Sequence, residues 1–250
     1  MHTTLLQGGY GAPPAGRSRP IISGGTLRTD TNVVLRGTDF APGIRTQAVR
    51  PHSVLANWTN ARARGLNWVR CDIKTIQGGR SVEQQVPFID EAVANAMASN
   101  MYIGLMSSIS PGTYNKAELL HFWGIVAPRY KDNPYVFYET CNEPVSGSGR
   151  WGAASQWTAT VRSDFRQIHD QMRAAAPSTM IGLFSTTNIY PSSSAWRTGV
   201  VQPFEALGSP IDWTKTVIMY HHYRGTMECT VSGGPVATDS GLAPLNDLKY

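Results

Sequence analysis

Short runs of β-branched and aromatic residues alternate with longer segments of helical period from residue 20 onward. PIISGGTLRTDTNVVLRGTDFA reads as two short strands flanking a Thr-Asp-Thr-Asn turn, the second ending at Asp39. SVLANWTNARARG then has apolar positions 54, 55, 58 and 61 on one helical face and a stop at Gly65. LNWVRCDI is a strand. SVEQQVPFIDEAVANAMASN is a helix opened by Ser81 that tolerates Pro87, and MYIGLMSSIS is the next strand. NKAELLHFWGIVAPRYK is a helix ended by an Asp-Asn-Pro turn, followed by the strand VFYETCNEP and the long helix SQWTATVRSDFRQIHDQMRAAAP. MIGLFSTT, a short helix near 203–207 and the strand TVIMYHHY complete the pattern.

Strands that alternate with helices in this way imply parallel βαβ units. Strand ends fall at 39, 72, 107, 143, 186 and 223, six in all. Six strands fit either a doubly wound sheet or part of an eight-stranded barrel. A doubly wound nucleotide-binding sheet carries a Gly-rich turn after its first strand, and none is present. A barrel collects polar and ionisable residues at the C-terminal ends of several strands. Here those ends hold Asp39, Arg70, Asp72, Ser107, Ser108, Asn142, Glu143, Thr186, Asn188, His221 and Tyr223. The expected fold class is therefore α/β, a (β/α)8 barrel of which about six units are represented, preceded by a short N-terminal β-hairpin.

Composition narrows the picture further. At 250 residues and 41% hydrophobic the chain supports one large core, with residues 1–19 a Gly- and Pro-rich flexible lead-in and 20–250 the domain. No apolar run approaches 18 residues, which implies a soluble protein without a membrane span, and the first residues show no signal peptide. The net charge of +5 comes from 22 basic residues that are scattered rather than gathered on one motif, so nucleic acid is not an expected partner. Cys71, Cys141 and Cys229 lack metal or redox spacing and allow at most one disulfide. No metal or organic cofactor is expected.

The chemistry concentrates in VFYETCNEPV. If the strand runs straight through it, Glu139, Cys141 and Glu143 share one face, with Glu139 about 13 Å deeper than Glu143 at roughly 3.3 Å per residue. That spacing excludes the two as a catalytic pair, because carboxyls that act on one bond stand about 5–5.5 Å apart in one geometry and about 6.5–9.5 Å in the other. Glu139 is expected instead to be a buried carboxylate satisfied by an arginine.

RYKDNPYVFYETCNEPV resembles the fourth-strand signature of glycoside hydrolase family 5. VVLRGTDFA is similar to that family's first strand, GLNWVRCDI to its second, and YHHY to the His-x-Tyr pair of its sixth. The resemblance implies a retaining hydrolase of β-linked polysaccharide, with β-1,4-glucan first and mannan second. It implies Glu143 as acid/base, Asn142 on the sugar 2-hydroxyl, Arg70 orienting the nucleophile, and His221 and Tyr223 lining the site. Rival readings make Arg70 a structural partner of Glu139 or Asp72, His221 or His222 a core histidine, and Asp39 a turn residue rather than a ligand contact. Trp151 and Trp196 are candidates either for stacking on sugar rings or for packing. The expected partner is a polysaccharide or oligosaccharide, with no obligate protein partner, and the resemblance implies secretion.

Two features depart from the family's pattern. Its third strand commonly ends Asp-x-His, whereas this chain has GLMSS, with Met106 near the histidine's place. Its nucleophile is a glutamate on the seventh strand. Glu228 follows Tyr223 by five residues, too close for a parallel crossover, which needs a dozen or more. The expectation is a C-terminally truncated barrel, about 60 residues short of eight units, whose nucleophile lies beyond residue 250 and which is inactive alone. The alternative is a carbohydrate-binding protein that kept the cleft without the chemistry.

Overall fold

A computed structural model describes residues 10–40, 51–74, 81–108, 114–145, 156–187, 197–221, 230–231 and 234–235, with the backbone alone for the ends of some strands. Strands β1 (Ile21–Ser23) and β2 (Thr26–Arg28) form an antiparallel hairpin. It turns at Gly24 and Gly25, both at positive φ, a conformation that side-chain-bearing residues resist. The Thr-Asp-Thr-Asn segment is a turn as expected, with Thr29 N–H donating to the Val33 carbonyl at 2.7 Å. The strand expected after it is split, however. Val34 makes only an isolated bridge to Arg28, and β3 (Gly37–Asp39) leaves the hairpin for a different sheet.

That sheet contains β3, β4 (Trp68–Lys74), β5 (Tyr102–Ser108), β6 (Val136–Glu139), β7 (Ile181–Thr187) and β8 (Thr216–His221). Every pairing is parallel and the spatial order is the sequence order. A doubly wound sheet reverses its order at a switch point. This sheet instead winds one way, as an arc of a (β/α)8 barrel does. The chain crosses back through α1 (Leu55–Ala63), α2 (Val82–Ala98), α3 (Lys116–Tyr130) and α4 (Ala159–Ala175). The short α5 (Gln202–Glu205), entered through a π-helical turn at Arg197–Val201, precedes β8. β9 (Thr230–Val231) and β10 (Gly234–Pro235) pair separately.

Local sequence accounts for the helix ends. Ser81 and Gln84 close a reciprocal capping box on α2, and Asn115 and Thr158 cap α3 and α4. α1 differs from its expected face. Trp58 and Ala61 are buried, but Val54 and Leu55 are exposed, because the helix starts only at Leu55 behind a 3-10 turn at Pro51–Ser53.

Period-two alternation sorts the strand residues into two cores. Val69, Cys71, Ile73, Ile103, Leu105, Val136, Tyr138, Ile181 and Leu183 pack outward with the helices. The opposite face carries Trp68, Tyr102, Phe137, Met180 and Val217, and these pack with Ile22 and Leu27 of the hairpin and with Leu35. Since they lie at or near the strand starts, the hairpin plugs the N-terminal end and leaves the C-terminal rim for polar groups. Glycines admit this floor. A Cβ at Gly104 would stand 2.9 Å from the Phe137 ring, and one at Gly37 would run into the Trp68 indole.

Polar clamps hold the outer layer. Asp90 of α2 accepts from Arg129 Nε at 2.8 Å and from the Tyr130 hydroxyl at 2.7 Å, both on α3. Part of the segment read as a lead-in is tied down as well. Arg19 donates to the carbonyls of Lys131 and Asn133, Tyr10 donates to the Arg129 carbonyl, and the Arg17 guanidinium sits 4.2 Å over the Tyr102 ring.

His52 closes the gap between α1 and α2. Its carbonyl accepts from Trp58 Nε1 at 2.9 Å and Asn95 Nδ2 at 2.7 Å, while its ring tilts against Phe40. Both ring nitrogens are buried without a well-formed hydrogen bond. Burial pulls the ring's pKa from 6.5 to about 4, and the nearby Arg70 backbone offsets little of that. The unfolded chain therefore takes up the proton first as pH falls. Stability from this group is complete above pH 6.5 and is lost on the way down to pH 4, by about 3 kcal/mol. Urea melts of the wild type should lose that much more than His52→Phe across this window; parallel slopes for the two would refute the assignment.

Candidate active site

Arg70 lies on the inner face of β4, in register with Asp39 of β3 and Gly104 of β5. One residue pair higher, Asp72, Met106 and Glu139 are in register across β4, β5 and β6. The guanidinium reaches up to that level. Its Nε donates to Glu139 Oε2 at 2.7 Å and its Nη2 to Oε1 at 2.6 Å, a bidentate pair. Nη2 also donates to Asn142 Oδ1 at 2.9 Å and to Met106 Sδ, and Nη1 stands 3.7 Å from Asp39 Oδ2.

The pair is buried: the Glu139 side chain is 2% exposed and that of Arg70 15%. Burial alone would lower the guanidinium's pKa, but Glu139, followed by Asp39 and Asp72, outweighs it and holds the group charged above its ordinary range. The expected arginine partner of Glu139 is thus Arg70. Asp39, the last residue of β3, faces the same guanidinium with its side chain 38% exposed.

Beyond β6 the chain departs from the straight strand expected from the sequence. β6 ends at Glu139, so alternation does not continue to Glu143. Cys141 falls into the outer core with Tyr138 instead of sharing the face of Glu139. The backbone is anchored on three sides: Thr140 N–H donates to the Gly182 carbonyl at 3.0 Å, Trp123 Nε1 to the Thr140 carbonyl at 2.9 Å, and Asn142 N–H to the Ser107 carbonyl at 3.1 Å. Glu143 then adopts φ 41°, in the left-handed region, and its residue surface is only 2% exposed. The estimate of about 13 Å between Glu139 and Glu143, which assumed roughly 3.3 Å of extended rise per residue, does not apply to this bent path.

The remaining sequence-derived candidates are placed unevenly. His221 ends β8, its backbone paired with Thr187. Trp151, Trp196, Tyr223 and Glu228 lie outside the described residues. Cys71 and Cys141 are both buried, and burial pushes the Cys71 thiol well up. Among the described residues, no three His, Cys, Asp or Glu side chains are grouped to hold a metal ion. The contacts from Arg70 to Asn142 and Met106 were not anticipated. The one available signal was that Met106 occupies the strand level above Arg70 on the neighbouring strand.

Left-handed backbone costs a non-glycine residue about 1–2 kcal/mol, and such strain concentrates where function over-determines the geometry. Glu143→Gly should therefore be more stable than Glu143→Ala by about 1 kcal/mol in urea titration. Equal midpoints and slopes for the two variants would mean the backbone is unstrained there.

Comparison with known proteins agrees with this architecture. The family model described as Cellulase (glycosyl hydrolase family 5) matches residues 35–232. The chain is 26% identical over 173 residues to Endoglucanase A of Butyrivibrio fibrisolvens, covering 65% of this chain and 35% of that protein. It is also 26% identical over 168 residues to an endoglucanase of Clostridium saccharobutylicum, covering 65% and 33% respectively. The chain thus spans about a third of the length of these curated relatives. Among solved structures, it is similar to a GH5 cellulase from an Icelandic hot spring isolate, with TM-score 0.65, 17% identity, and coverage of 96% of this chain and 72% of that one. The alkaline cellulase K catalytic domain gives TM-score 0.60 at 20% identity, covering 92% and 65%. At these identities the structural likeness is one of fold. The match to the family model takes in all six parallel strands, and the chain belongs to the cellulase family, glycosyl hydrolase family 5.

Proposed function

We propose that this chain forms the acid/base half of a retaining hydrolase of β-linked polysaccharide, with β-1,4-glucan the first substrate and mannan the second. The observation that carries the reading is Glu143, a carboxylate buried to 2% exposure in left-handed backbone just beyond the C-terminal end of β6. A barrel builds its site on that rim. Glu143 protonates the departing glycosidic oxygen and then takes a proton from the water that releases the sugar. Asn142 hydrogen-bonds the sugar 2-hydroxyl, an interaction that strengthens toward the oxocarbenium-like transition state. The family resemblance would add His221 and Tyr223 to the site and Trp151 and Trp196 as sugar-stacking residues, and Asp39, beside Arg70, offers a further contact.

The nucleophile is assigned to a glutamate that these 250 residues do not supply. Glu139 does not serve, because Arg70 binds both of its oxygens. In the assembled site Arg70 still has charge to offer the nucleophile, since among the described residues its Nη1 makes only a long contact to Asp39. A polymeric substrate and the endoglucanase relatives support an extracellular location.

Two proteins test the reading: the 250-residue chain and the product of the complete coding sequence. The complete protein should release reducing ends from soluble β-1,4-glucan, and Glu143→Gln should lower kcat/KM by about 10²–10⁴-fold, the usual share of a general acid/base. The 250-residue chain should bind cellotetraose without cleaving it. Hydrolysis by that chain, abolished by Glu143→Gln, would overturn the external nucleophile. Binding without hydrolysis by the complete protein would make it a carbohydrate-binding member of the family.

A further inference from the structure

Arginine donates hydrogen bonds and accepts none. The amide of Asn142 must therefore present Oδ1 to Arg70, as it does at 2.9 Å, which turns Nδ2, the amide's donor end, away from the guanidinium. This fixes which end of the amide a ligand meets, and the fixing is only as good as the position of Arg70. That position is set by Glu139, whose two oxygens take Nε at 2.7 Å and Nη2 at 2.6 Å and so determine both the place and the plane of the guanidinium. The same Nη2 bonds Glu139 and Asn142, making the three side chains a relay through one nitrogen.

We propose that Glu139 is a positioning residue: it locks Arg70, and through Arg70 it holds the Asn142 amide with its NH2 turned to donate to a ligand hydroxyl. The inference rests on the β-glycan reading for what that hydroxyl belongs to, but not for the relay itself. A purely structural role predicts something different. A buried ion pair is commonly replaced by apolar side chains of similar volume without loss of stability, so stability alone does not require Glu139.

The first measurement uses no ligand. In the ¹⁵N-labelled 250-residue chain the Asn142 side-chain NH2 signal, identified by its disappearance in Asn142→Asp, should relax as a rigid group. In Glu139→Gln its order parameter should fall below about 0.6. Glu139→Gln strands the Arg70 charge and is prone to unfold, so the double variant Glu139→Leu with Arg70→Met, which removes both charges, is measured beside it and should lose the same order. A rigid Asn142 amide in the folded double variant overturns the proposal.

The second measurement is cellotetraose affinity. The double variant should bind about tenfold more weakly than the wild type, and adding Asn142→Ala to it should weaken binding no further. Additive losses would mean Glu139 acts independently of Asn142, against the proposal. If the wild-type chain binds neither cello- nor manno-oligosaccharides while the Asn142 amide loses order as described, the relay stands and the β-glycan reading falls.

Discussion

The bidentate pair between Arg70 and Glu139 is the interaction on which the inner face of this sheet depends. Two charges taken out of water incur a desolvation penalty of several kcal/mol each. That penalty is offset only when the geometry is excellent and the remaining donors are used. Two N–H groups meet two carboxylate oxygens at 2.6 and 2.7 Å, Nη2 also serves Asn142 and Met106, and Nη1 stands 3.7 Å from Asp39. Three strands, β4, β5 and β6, and the chain beyond them are thereby joined through one side chain, at the level where the barrel changes from apolar floor to polar rim.

The floor makes the pair possible. Below Arg70 the rings of Trp68 and Phe137 fill the interior where Gly37 and Gly104 present no side chains, and the β1–β2 hairpin covers them. Water is excluded from beneath, so the guanidinium is driven to protein partners. The same packing raises the local strength of every electrostatic contact above it. The hairpin is far from the rim, yet it shapes the dielectric in which Glu139 and Arg70 meet.

The sequence made the architecture legible where periodicity is long and the ends are marked. α2 opens behind Ser81 as expected and Asn115 caps α3, whereas α4 begins only at Ala159 behind Thr158, past the Ser155 start read from the sequence. The parallel order of the strands followed from the crossovers. Two failures have a common cause. The strand expected to run from the Thr-Asp-Thr-Asn turn to Asp39, and the one expected to run through Cys141 to Glu143, were both extended by alternation beyond the point where the backbone turns. A period of two cannot report its own end. At Gly24 and Gly25 the turn was written in glycine, but at Glu143 positive φ falls on a residue with no preference for it. The link from Arg70 to Asn142 spans 72 residues of chain and has no local signature at all.

The anchoring of Asn142 accounts for the left-handed backbone at Glu143. Its neighbour Asn142 is held twice, by Arg70 through the side chain and by the Ser107 carbonyl through the backbone. Thr140 is held by Gly182 and Trp123. With both anchors fixed, few conformations let the chain turn off the strand, and the left-handed one at Glu143 buries its carboxylate instead of releasing it to solvent. The strain is then a consequence of fixing Asn142, not an independent feature. A carboxylate so confined has few orientations left to lose, the form of preorganisation that the proton transfer proposed for Glu143 would require.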